Sequence, residues 1–76
     1  MNHDPSQFHC TSMLVYNGFR YWIAGYPEQY RFTIQTMQGG RVFTSDRYPT
    51  IVAANQEARH RIDLVTAVLG VRHESA

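Results

Sequence analysis

The chain has 76 residues, with seven basic and six acidic side chains, ten aromatics and one cysteine. That length makes a single domain, and one cysteine leaves no internal disulfide to staple it. A chain this short buries only about 60% of its unfolded surface, the aromatic content argues against disorder, and a net charge of +1 excludes the strongly basic footprint of a dedicated nucleic-acid binder.

All seven basic residues are arginine, which suits GC-rich codon usage as well as an interface built on guanidinium forks. No apolar run approaches the ~20 residues that span a bilayer. The polar start, Met1 to Gln7, has no apolar segment behind a basic one. With a lone thiol that fits a reducing compartment, these features lead us to expect a cytoplasmic protein with no membrane partner.

Met1 to Gln7 contains Pro5 and is expected to fray. A first strand is predicted from Phe8 to Tyr16 and a second from Phe19 to Tyr26. They are joined by Asn17-Gly18, the pair that best tolerates the two positive φ angles of a type I′ hairpin turn. A two-residue loop sets Tyr16 opposite Phe19, Leu14 opposite Tyr21 and Ser12 opposite Ile23. Leu14, Tyr16, Phe19, Tyr21 and Ile23 then share the core face, with Thr11, Met13, Val15, Arg20, Trp22 and Ala24 on the other. Tyr26 falls out of the odd-numbered alternation, so a bulge at Ala24-Gly25 is predicted. Pro27-Glu28-Gln29 reads as a turn.

A third strand is predicted over Tyr30 to Met37, with Tyr30, Phe32 and Ile34 inward. Gly39-Gly40 offers a second two-residue hairpin, placing Thr36 opposite Phe43 and Met37 opposite Val42. The fourth strand, Arg41 to Ser45, is short, as suits a sheet edge. Thr50 is placed to cap a helix opening at Ile51. Ile51, Ala54, Ala58, Ile62, Val65 and Leu69 recur at spacings of three and four as one buried stripe. Asn55, Gln56, Arg59, His60 and Asp63 take the opposite side, and Glu57 and Arg61 are spaced for a surface ion pair. Gly70 is predicted to end the helix in a left-handed cap with Val71 folded back on Val65, and Arg72 to Ala76 to fray. The expected fold is α+β: a four-stranded antiparallel meander with one C-terminal helix on one face, in one domain over residues 1–76.

The run Tyr30-Arg31-Phe32, Gln38-Gly39, then Thr44-Ser45-Asp46-Arg47-Tyr48-Pro49-Thr50 before an alanine-rich helix resembles the small bacterial YegP-like domains over residues 30–62. The resemblance implies a sheet-plus-helix unit that dimerises, and no activity. The chain departs from that pattern in carrying one unit where repeats are usual, and in its extra first hairpin.

Candidate chemistry is sparse. His3, His9, His60 and His73 with Cys10 lack zinc-ligand spacing, and adjacent strand residues His9 and Cys10 point to opposite faces. Cys10 lacks a surrounding cysteine-hydrolase pattern, so it reads as an ordinary strand residue. Asp46, Glu57 and Asp63 are scattered rather than paired, and Gly39-Gly40 lacks the helix and Lys-Ser/Thr of a phosphate loop. The expectation is therefore no enzyme, no metal and no cofactor.

What remains is the outer face of the sheet. Met13, Val15, Trp22 and Val42 are apolar there, with Arg20 and Arg31 beside them. A patch containing Trp marks a contact site. Its composition fits an interface with a second copy of the chain or with another protein. Single-stranded nucleic acid stacking on Trp22 comes second, because the net charge is near zero.

Overall fold

The computed structural model describes residues 7–74, and the side chains of residues 7–68. Its elements are β1 (His9–Cys10), β2 (Leu14–Tyr16), β3 (Phe19–Tyr26), β4 (Gln29–Thr36), β5 (Arg41–Thr44) and α1 (Ile51–Glu74). β1 and β2 lie along the same side of β3, which pairs with β4, which pairs with β5, all antiparallel. The helix covers one face, giving the expected α+β layout. Of the ends expected to fray, residues 1–6 and 75–76 lie outside the described residues, whereas residues 72–74 are helical.

The core forms where central strands meet the helix. Tyr21 pairs with Ile34 and Ile23 with Phe32 across β3 and β4, and all four are at most 1% exposed. Ala54 and Ala58, with Ile62, close the core from the helix side. The small side chains of the two alanines let the helix backbone approach the sheet, as the sequence suggested. Ile51 packs at the margin and Val65 is half-buried, while the Leu69 and Val71 side chains lie outside the described residues.

Local chemistry holds the ends of these elements. Asn17 (φ 53°) and Gly18 (φ 88°) take the two left-handed positions of the first hairpin, with Leu14 opposite Tyr21 and Tyr16 opposite Phe19 as expected. Thr50 caps α1: its hydroxyl accepts from the Ala53 N–H at 3.0 Å and its carbonyl from the Ala54 N–H.

Several registers differ from the expected ones. The first strand is not continuous from Phe8 to Tyr16. Pairings shift by one residue between Cys10–Ala24 and Leu14–Tyr21, so Thr11 to Met13 carry an extra residue. Thr11, not Ser12, meets Ile23: its N–H donates to the Ile23 carbonyl at 2.8 Å, and its hydroxyl accepts the Ile23 N–H at 3.0 Å. The bulge thus lies in the first strand and not at Ala24-Gly25, where β3 pairs with β4 without interruption from Phe19–Thr36 to Tyr26–Gln29. Tyr26 consequently stays on the outer face, its ring edge-on to Phe8 at 5.3 Å. Gly25 is needed for another reason: φ is +147°, and a Cβ there would stand 2.3 Å from the Gln29 carbonyl oxygen. The turn that follows is Pro27-Glu28 alone, with Glu28 at φ 66° and Gln29 already in β4.

The second hairpin has a three-residue loop, Met37 to Gly39, in place of Gly39-Gly40. The Thr36 N–H donates to the Gly40 carbonyl at 2.8 Å, and the Gly39 N–H to the Thr36 carbonyl at 2.9 Å. Gln35 then faces Arg41, and a bulge at Val42 sets Phe43 opposite Ile34 rather than Thr36. Phe43 still reaches the core, 5.9 Å from the Phe32 ring. Beyond β5, Ser45 repeats at this edge what Thr11 does at the other. Its N–H donates to the Phe32 carbonyl, its hydroxyl accepts the Phe32 N–H at 3.0 Å, and that hydroxyl donates to the Asp46 carbonyl. Tyr48 then bridges Tyr30 through two backbone bonds before the chain turns into α1.

The helix starts near the Pro27-Glu28 end and runs back toward the first hairpin, where Asp63 accepts from Asn17. It does not stop at Gly70 but continues to Glu74. No proline or second turn residue follows Gly70 to break it. The eleven residues after Asp63 add about 16 Å of helix, and Leu64 and Val68 on this stretch are 50% and 71% exposed. No helix among the described residues is long and apolar enough to cross a membrane.

Candidate binding face of the sheet

The register arranges the face away from α1 in rows about 6.7 Å apart, two residues of strand rise. Val15, Arg20, Gln35 and Arg41 form one row across four strands. Trp22, Thr33 and Thr44 form the next, and Cys10, Ala24 and Arg31 the third. Tyr26 and Gln29 make the last, with Phe8 against Tyr26. Trp22 sits near the middle and is half-buried, while Val15, Met13 and Phe8 are 63%, 49% and 49% exposed.

Of the six residues singled out from sequence, Met13, Val15, Arg20 and Trp22 belong to the β2–β3 corner, and Arg31 lies across β3 from it on β4. Val42 occupies the β5 bulge beside Arg41, on the far side of β4 from Trp22. Phe8 and Tyr26 extend the aromatic surface and were missed. For Tyr26 the even numbering shared with Trp22 was the available signal, and the expected bulge at Ala24-Gly25 obscured it. Phe8 shares its parity with the core-facing Leu14 and Tyr16, and the extra residue at Thr11–Met13 turns it outward.

The charge of this face is also one-sided. All three strand arginines, Arg20, Arg31 and Arg41, fall on it by register, and no residue of β1 to β5 is acidic. Among the described residues, the other four arginines and the five acidic residues lie in a turn, the connector and the helix. Arg20 Nε donates to Gln35 Oε1 at 3.0 Å, a neutral partner that leaves its charge uncompensated.

The opposite side carries a polar seam between hairpin and helix. Tyr16 Oη donates to Asp63 Oδ2 and Asn17 Nδ2 to Asp63 Oδ1, both at 3.2 Å. Tyr21 Oη donates to Asn55 Oδ1 and accepts from Arg59 Nε at 3.2 Å, and the Arg59 guanidinium lies 4.7 Å from the Tyr16 ring centre. Asn55, Arg59 and Asp63 therefore border the buried stripe, four residues apart, rather than standing opposite it. The Asp63 carboxylate, by accepting the hydroxyl proton, holds the Tyr16 phenol above its ordinary value. The expected Glu57–Arg61 ion pair is absent among the described residues, and the Arg61 guanidinium lies over the Phe43 ring at 4.2 Å.

The other candidates stay apart. His9 faces Gly25 and Cys10 faces Ala24, on opposite sides of the sheet, and His60 is exposed on the helix. The side chains of His3 and His73 lie outside the described residues. No group of three potential metal ligands occurs among the described residues, which also enclose no pocket. Asp46 follows β5, whereas Asp63 is engaged at the hairpin tip. No family model, curated protein or solved structure matches this chain.

Proposed function

We propose that this protein is a small non-enzymatic binding module of the cytoplasm, and that its contact surface is the outer face of the sheet. The observation that supports this reading is Trp22 near the centre of the one sheet face that α1 leaves uncovered, with exposed Phe8, Met13 and Val15 around it. Aromatic, methionine and arginine side chains are the types enriched where macromolecules meet. The occupant is a macromolecule rather than a small substrate, because the surface is open and spread over several strands.

A second copy of the chain is the simplest occupant to test. Light scattering on the wild type, Trp22→Ala and Met13→Asp decides it. A dimer lost in both variants supports self-association through this face. A dimer kept in both puts the interface elsewhere and sinks the outer-face reading. A wild-type monomer removes self-association and leaves the face to a partner of different chemistry.

A further inference from the structure

We propose that the occupant of the outer face is single-stranded nucleic acid, an inference that rests on that face being the contact surface. Two features of the face favour it over a second copy. The first is charge. A two-fold dimer sets the same patch against itself, so Arg20, Arg31 and Arg41 of each copy would meet three arginines and no strand carboxylate. Like charges brought together this way oppose docking, whereas a polyphosphate backbone complements them.

The second feature is the order of the groups. Along the sheet, the rows run Phe8 and Tyr26, then Arg31, then Trp22, then Arg20 and Arg41. Rings and guanidinium groups thus alternate at about 6.7 Å per row. Base stacking on aromatic rings and backbone tracking by cations are the two parts of single-strand recognition. An acidic protein would satisfy the arginines but gives no reason for the rings between them. A duplex is read by an element that enters its groove, a helix or a two-stranded ribbon, and a broad sheet face is neither. The net charge of +1 conceals this surface because the five acidic residues among the described residues lie off the strands.

The test is fluorescence anisotropy with a labelled twelve-nucleotide single strand of mixed sequence, at 50 and 200 mM salt. Three phosphate contacts give a slope of log K against log salt near −2, at about 0.7 per contact on a single strand, or roughly a 20-fold loss over that range. Trp22→Ala is expected to weaken binding by about fivefold or more. Arg31→Gln, an exposed position whose loss does not threaten folding, is expected to reduce the slope by about 0.7. Circular dichroism checks that each variant is folded.

Absence of binding at 50 mM salt overturns the proposal, as does binding with no salt slope. Equal affinity for the duplex of the same sequence reduces the face to a general polyanion surface and overturns it too. If the oligonucleotide fails but light scattering shows a dimer that Trp22→Ala dissociates, the occupant is a second copy, and the binding-module reading survives without this inference. If both fail, the inference falls, and the proposed module has neither of its named occupants.

Discussion

Ser45 shows how much a single hydroxyl holds at the edge of this sheet. It is 6% exposed, and its oxygen takes the Phe32 N–H that a regular neighbouring strand would have bonded through its carbonyl. Ser45→Ala leaves that buried N–H without its acceptor, a loss of about 1–3 kcal/mol. A domain of this size has about 4–11 kcal/mol to lose, so the urea midpoint is expected to fall clearly. A midpoint unchanged in the alanine variant would show that Phe32 finds another acceptor. The glycines make a paired comparison. Gly25→Ala drives a Cβ into the Gln29 carbonyl and is expected to cost about 2 kcal/mol or more. Gly18→Ala meets nothing within 4 Å and carries only the left-handed backbone cost of about 1 kcal/mol. The reverse order in urea denaturation would contradict the close approach at Gly25.

At the scale of elements, what could be read from the sequence was what neighbours in the chain decide for themselves. Asn17-Gly18 selects its turn and register, Thr50 caps the helix, and Ala54, Ala58 and Ile62 mark its buried stripe, because each signal spans no more than a few turns of chain. The bulges at Thr11–Met13 and Val42 were not legible. Each is a mismatch between two strands, and one strand alone does not record it. The helix end was misread for a related reason. Glycine permits a left-handed cap but does not impose one, and α1 continues through Gly70. Gly70→Ala therefore gives a direct test. Inside a helix, alanine is favoured over glycine by about 0.8–1.0 kcal/mol, so helical ellipticity at low temperature is expected to rise. In a left-handed cap the same change would be unfavourable, and ellipticity would fall.

Across the whole molecule, hairpin and helix are joined by the Tyr16–Asp63 and Asn17–Asp63 hydrogen bonds, and this seam responds to pH. The Tyr16 phenol is held above its ordinary value, first through the hydrogen bond to the Asp63 carboxylate. The folded state therefore favours the protonated phenol. That contribution is complete below the unfolded value near 10 and is lost as pH rises through the higher folded value. Stability by urea titration is expected to decline above about pH 10, and Tyr16→Phe to be less stable at pH 7 while losing this part of the alkaline decline. An identical alkaline decline in the phenylalanine variant would mean that Tyr16 does not titrate differently on folding. The candidate site was legible only in part at this same scale. Alternation placed Trp22 and Val15 on one face, but the segregation of arginines from carboxylates depends on which strands lie side by side.

The interrupted borders of the sheet have one more consequence. β1 and β2 offer two and three residues on either side of a bulge, and β5 offers four with a bulge of its own. A foreign strand seeking to extend the sheet would find no straight run of unpaired backbone on which to template itself. A nearly neutral chain rich in aromatic residues is otherwise a ready substrate for fibril growth. Here the bulges at Thr11–Met13 and Val42 close that route, so the apolar outer face can stay exposed without turning its strands into a seed for amyloid.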